Sequence, residues 1–185
     1  MQTEKKSAKI YFVRHGQSEW NVANKICGAT DIALTANGVE QAKAAGEKIR
    51  ETGIQIDEIR YSPLVRAART ASEIARIINA PLVQEPRLTE QCFGKYEGMP
   101  RDSKNFLAAK SEFVNDFEGG ESMLHLAQRI YNLLDDLKQN GGGKNYLLVA
   151  HNGIARVIHS YFFNMTNAEY AAYGVKNCQI VEYDL

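Results

Sequence analysis

The run Tyr146-Leu147-Leu148-Val149-Ala150 is apolar at every position. A strand from a one-sided sheet alternates apolar and polar residues, because successive side chains point to opposite faces. An unbroken run predicts a strand covered on both faces, which is the habit of parallel sheets. Parallel neighbours need long crossovers, usually helices, and the rest of the chain supplies them. Ile10 to Val13 reads as the first strand, followed by a loop at Arg14-His15-Gly16. Thr35 is a candidate N-cap for a helix from Ala36, with Val39, Ala42, Gly46 and Ile49 on one face and Gly53 as its stop. Asp57 to Tyr61 and Pro81 to Val83 read as further strands. Between them Ala67, Ala71, Ile74, Ala75 and Ile78 mark a helix closed by Asn79. Met123, Leu126, Ala127, Ile130, Leu133, Leu134 and Leu137 give the clearest helical stripe. Gly153 to Phe163 reads as a helix and Cys178 to Tyr183 as a last strand. Strands alternating with helices predict a three-layer α/β/α sandwich around a mostly parallel central sheet.

The chain has 185 residues, 44% hydrophobic and 24% charged, which is globular usage. No repeat or linker breaks it, so residues 1–185 are expected to form a single domain. Residues 91–120 are less regular, with Gly94, Gly98, Pro100, Gly119 and Gly120 and a helix expected around Ser103 to Phe113. They read as a short insertion over one end of the sheet. Lys and Arg number 22 and Asp and Glu 22, for a net charge of +0. Neutrality argues against nucleic acid or an anionic membrane as a partner. Met1 to Lys9 is polar and no long apolar run follows, so a cytoplasmic protein is expected. Cys27, Cys92 and Cys178 are odd in number and far apart, which suits neither a disulfide framework nor a metal-type pair.

Four polar clusters each lie just after an expected strand: Arg14-His15-Gly16, Ser62-Pro63-Leu64-Val65-Arg66, Leu88-Thr89-Glu90 and His151-Asn152-Gly153. Open α/β sheets bind ligands outside the carboxyl ends of their strands. Arg14, His15, Arg66, Glu90 and His151 are thereby brought to one crevice. Two guanidinium forks suit phosphate oxygens. A neutral imidazole can attack phosphorus and carry the phosphoryl group. A carboxylic acid can protonate the leaving alkoxide and then take a proton from water. Gly16 allows backbone amides close to an anion. A metal bound by His15, His151 and Glu90 is disfavoured, because Arg14 and Arg66 would stand beside the cation.

The sequence resembles the histidine phosphatase superfamily, the phosphoglycerate mutase-like family. The resemblance is carried by Arg14-His15-Gly16-Gln17-Ser18-Glu19-Trp20-Asn21, Leu34 to Ala42, Tyr61 to Ala67, Thr70-Ala71, Glu90, Phe93-Gly94, Glu97-Gly98, Gly120-Glu121-Ser122 and Val149 to Gly153. It implies the phosphoglycerate mutase-like fold, with His15 as the nucleophile that becomes phosphohistidine. Arg14, Arg66 and His151 would complete the phosphate pocket, and Glu90 would be the general acid and then base. Asn21 and the Asn152 backbone would add phosphate contacts, and Gly28 joins the expected binding set. The family needs no metal and no organic cofactor. Cys27 stands where Gln is frequent, Ala33 where Pro is, and Tyr96 where Trp is. These departures touch the pocket rim and bear on substrate choice.

Competing readings exist for individual residues. Gln17 and Ser18 suit either pocket lining or loop capping. Glu85, Glu97 and Glu121 are acids near Glu90, and Glu121 also suits the first turn of a helix. Cys27 reads as a small buried side chain. His125 and His159 read as structural or exposed. Lys95, Arg101, Lys104 and Lys110 read as a solvated helix face, with attraction of further acidic groups on a substrate as the rival. The function expected is hydrolysis of a small-molecule phosphate ester. The enzymic rival is a phosphoglycerate mutase, an isomerase on the same site. The resemblance implies a longer cover between the acid and the second histidine in mutases, and here the interval from Glu90 to His151 is short. The other rival, a catalytically dead phospho-ligand binder, usually lacks one of the five central residues.

Overall fold

The computed structural model describes residues 8–185; the polar start of the chain, through Ser7, lies outside them. The strands are β1 (Lys9–Arg14), β2 (Glu58–Tyr61), β3 (Leu82–Gln84), β4 (Tyr146–Ala150) and β5 (Ile180–Asp184). They form one sheet in the order β3-β2-β4-β1-β5. β1, β2, β3 and β4 run parallel, and β5 pairs antiparallel with β1 at the edge. The apolar run is β4. It is the central strand of the five, between β1 and β2, and all its residues are buried.

Strand alternation divides the core in two. Ile10, Phe12, Tyr146 and Leu148 face the helices α5 (Met123–Asn140) and α6 (Asn152–Phe162). Tyr11, Val13, Leu147 and Val149 face α2 (Ala36–Thr52) and α3 (Val65–Ile78). The stripe Leu126, Ile130, Leu133, Leu134 and Leu137 is the buried side of α5. Each such apolar side chain contributes about 1.5–3 kcal/mol on full burial. The result is the expected α/β/α sandwich.

Helix ends follow local chemistry. The Thr35 hydroxyl accepts from the Gly38 amide at 3.0 Å and starts α2, and Gly53 ends it at φ 69°. Asn79, at φ 54°, ends α3. Two short helices escape the periodicity argument: α1 (Glu19–Val22) and α7 (Asn167–Ala172). Each is held by a capping box, Ser18 with Asn21 and Thr166 with Glu169. Some bounds differ from expectation. The helix expected over 103–113 is shorter, α4 (Lys104–Lys110); the strand expected from Cys178 is β5, which starts at Ile180; and the one expected over 81–83 is β3, shifted to Leu82–Gln84. Residues 91–120 hold an aromatic cluster of Phe93, Tyr96, Phe106 and Phe117 with Ile26.

Gly16 and Gly38 let the loop after β1 lie directly on the first turn of α2. A Cβ on Gly16 would fall 2.3 Å from the Gly38 carbonyl oxygen, and one on Gly38 2.1 Å from that of Gln17. Among the described residues no helix is long and apolar enough to cross a membrane.

Candidate active site

Because the four parallel strands end on one side, the residues after them meet there. The His15 amide extends the ladder to the Ala150 carbonyl at 2.9 Å, and the Ser62 amide does so to Val149 at 3.1 Å. A short 3-10 turn, Pro86–Leu88, carries the chain from β3 to Glu90. His15, Arg66, Glu90 and His151 are all buried, and the two imidazole rings lie 5.1 Å apart. A cleft of about 200 Å³ opens over them. Its walls include Arg14, His15, Asn21, Cys27, Glu90 and Asn152, with Phe93, Arg101, Phe106, Leu107, Lys110 and Arg156.

His15 Nδ1 lies 2.7 Å from the Gly16 carbonyl oxygen. A carbonyl only accepts, so Nδ1 carries the proton and Nε2 keeps its lone pair. The Asn177 side chain donates to the His15 carbonyl at 2.7 Å and fixes the loop. His151 Nε2 is 2.8 Å from the Ser62 hydroxyl. With that hydroxyl donating, Nδ1 is the protonated nitrogen of His151. Glu90 takes its own neighbour's amide, Gln91, at 2.9 Å, and the Gly153 amide at 2.9 Å. A Cβ on Gly153 would come within 2.4 Å of the Glu90 carboxylate. Glycine there lets the start of α6 grip the acid through its backbone.

The arginines are held by carbonyls. Arg14 Nη1 donates to Val175 at 2.9 Å. Arg66 Nη1 and Nη2 donate to Thr30 and Gly28 at 2.9 and 2.7 Å. Glu97 in turn holds that loop, accepting from the Ala29 and Thr30 amides at 2.8 and 2.7 Å. Three buried side-chain polar atoms lack a partner among the described residues: Arg14 Nε, Arg66 Nε and His151 Nδ1. All three belong to this site. Buried donors without partners cost roughly 1–3 kcal/mol each, so their concentration here points to an absent acceptor.

Burial, then the charges of Arg66 and Arg14, hold His15 well below the usual imidazole range. Burial, Arg66 and His15 do the same to His151. Both are therefore neutral in the folded protein at a pH where free histidines charge. Burial, then Arg101, brings Arg14 down to about 10. The histidines have a consequence for stability. Below the ordinary histidine value of 6.5 the unfolded chain binds protons that the fold refuses. Stability is therefore expected to fall with pH there by about 1.4 kcal/mol per pH unit for each histidine. Above that value neither contributes. Urea unfolding between about pH 6.5 and 5 checks this: H151Q should unfold with a shallower pH slope than the wild type. Equal slopes would show that His151 is not held neutral.

A profile described as the histidine phosphatase superfamily (branch 1) matches residues 10–185. The chain belongs to this superfamily. Among its relatives, a probable phosphoglycerate mutase GpmB from Yersinia pestis is 32% identical over 95% of this chain and 84% of that protein. A mycobacterial glucosyl-3-phosphoglycerate phosphatase, solved with VO3, superposes with a TM-score of 0.82 at 25% identity, covering 95% of this chain and 90% of that one. An α-ribazole phosphatase from Shigella flexneri shares the fold, with a TM-score of 0.82 at 23% identity over 96% and 90% of the two chains. Superfamily membership and these neighbours support an enzyme with phosphatase or mutase activity.

Within this histidine phosphatase fold the expected residues divide by what their side chains do. Arg14, His15, Asn21, Glu90 and Asn152 line the cleft; Arg66 and His151 are fully buried behind that lining, His151 against the His15 ring and Arg66 on the Thr30 and Gly28 carbonyls. Gln17 accepts from the Thr35 hydroxyl at 2.9 Å, and Ser18 caps α1, contacts of the loop-capping kind. The Gly28 carbonyl holds Arg66. The Gly16 amide donates to the Thr70 hydroxyl at 3.0 Å. Cys27, expected as a small buried side chain, is half-buried on the cleft wall, and burial pushes its thiol up. Glu121 pairs with Arg129. His125 is exposed, and His159 stacks on Tyr173 at 4.0 Å. The solvated-face reading is corrected for Arg101 and Lys110, which turn into the cleft. Ser62, Asn177 and Glu97 are supporting residues the sequence reading did not assign. Among the described residues no cluster of three or more His, Cys, Asp or Glu is placed to hold a metal ion.

Proposed function

We propose that this protein is a phosphomonoesterase that hydrolyses a small phosphate ester through a phosphohistidine on His15. The observation that carries the reading is the set of unpartnered buried atoms, Arg14 Nε, Arg66 Nε and His151 Nδ1, gathered around a neutral His15. A phosphoryl group brings the acceptors they lack, and their charge and dipoles stabilise it as it transfers. His15 Nε2 attacks phosphorus. The bond from phosphorus to the ester oxygen breaks, and Glu90 gives that oxygen its proton. Water then attacks the phosphohistidine, Glu90 takes the water's proton, and the bond from phosphorus to Nε2 breaks. Asn21 and the Asn152 backbone are assigned to phosphate contact. We take residues 1–185 to act as one catalytic domain, with 91–120 as its cover. The three free cysteines suit a reducing cytoplasm.

The mutase reading is favoured by the GpmB relative. The two differ in the fate of the phosphoryl group, to water or back to substrate. A panel of phosphometabolites, assayed for released phosphate beside conversion of 3-phosphoglycerate to 2-phosphoglycerate, separates them. Quenched turnover should leave acid-labile, base-stable phosphate on His15. Isomerisation without phosphate release would replace the phosphatase reading, and label found only on serine or aspartate would refute the phosphohistidine.

A further inference from the structure

The protein is neutral overall, and its cations are mostly spoken for. Among the described residues, every Lys or Arg that is not exposed makes an ion pair or lines the active-site cleft, apart from Arg66, which is buried on the Thr30 and Gly28 carbonyls. The unpaired ones are Arg14, Arg66, Arg101, Lys110 and Arg156. Arg14 and Arg66 are accounted for by the phosphoryl group. One phosphate does not account for the other three, since it brings at most about two negative charges.

All three line the cleft, and the charges of Arg156 and Arg101 both act on Lys110. Arg101 Nε donates to the Lys25 carbonyl at 2.8 Å and Arg156 Nε to that of Tyr173 at 2.8 Å, so both are fixed with the rest of their forks free. Lys110 makes no hydrogen bond or ion pair among the described residues; its ammonium sits 5.8 Å from the Phe106 ring. Burial, then Arg156, lowers it to about 8, with Glu90 acting the other way and Arg101 adding to the fall. Its place in the last turn of α4 suits a cation on its own account, yet that explains neither Arg101 nor Arg156. Beyond Lys110 and Arg156 lies a second chamber of about 310 Å³, walled by Phe113, Met123 and Tyr170. Lys110 and Arg156 line both spaces. The two side chains therefore stand where the cleft and the chamber adjoin.

We propose that Lys110 and Arg156, with Arg101, form a subsite for a second anionic group, so that the substrate is a phosphomonoester bearing a further carboxylate or phosphate on its body. This rests on the phosphomonoesterase reading and names the substrate class of the same site.

The test uses the full chain and matched probes: phenyl phosphate, its ortho-, meta- and para-carboxylated forms, and meta- and para-phenylene bisphosphate. At least one charged probe should exceed phenyl phosphate in kcat/KM, mainly through a lower KM. Lys110→Met should cut that preference by about ten- to a hundredfold. Lys104→Met, on an exposed residue of the same helix, should leave it unchanged. Thermal unfolding of both variants confirms that they fold. Preference for the carboxylates or for the bisphosphates identifies the second group. The subsite is overturned if no charged probe is preferred, or if Lys110→Met leaves the preference intact. Hydrolysis of phenyl phosphate that depends on His15, without any charge preference, overturns the subsite alone. No hydrolysis of any probe and no phosphohistidine overturn both readings.

Discussion

His15→Ala is expected to lower the rate of phosphate ester hydrolysis by at least about a thousandfold. Every other group in the cleft positions, polarises or moves a proton. The attacking lone pair belongs to His15 alone, on an Nε2 left free because Nδ1 donates to the Gly16 carbonyl. His151 does not substitute, since its Nε2 is occupied by Ser62. Steady-state kinetics on an aryl phosphate, with urea unfolding to confirm the fold, makes the test. Activity above about one per cent of wild type would sink the nucleophile assignment.

Arg66→Met should lower kcat/KM by about a hundred- to a thousandfold. The methionine fills much of the same volume, so the comparison isolates the guanidinium. That group does two jobs at once: Nη1 and Nη2 tie down the Thr30 and Gly28 carbonyls, and Nε, buried without a protein partner, remains available to a phosphoryl oxygen. Arg66→Lys should remain well below wild type, because one ammonium on a flexible stem cannot replace a planar fork with three fixed directions. Kinetics of both variants decide it. A methionine variant within about threefold of wild type would remove Arg66 from the phosphate pocket.

Much of this is legible in the sequence. The unbroken apolar run of β4 predicts burial on both faces, and both cores meet there. The placement of Arg14, Arg66, Glu90 and His151 after strands predicts their convergence, because parallel strands share one carboxyl end. Directions were not legible. Lys110 and Lys104 sit on one short helix, and composition does not say which turns inward. Glu97 looks like another acid near Glu90, yet folding makes it a clamp on the loop that carries Gly28 and Thr30. The capping box of Thr166 and Glu169 was readable by its spacing, but α7 is too short for periodicity to declare it. The edge strand β5 runs antiparallel to β1, its one neighbour, and nothing in its residues encodes that direction.

The three unpartnered atoms on Arg14, Arg66 and His151 bear on more than chemistry. A fold that gathers donors without protein partners at one place gains stability when a bound oxyanion accepts from them. Ligand and folding are then linked by mass action, and occupancy adds to stability as the logarithm of ligand over its dissociation constant. In such an arrangement the ambient phosphate concentration becomes a determinant of how long the molecule survives, separate from how fast it turns over.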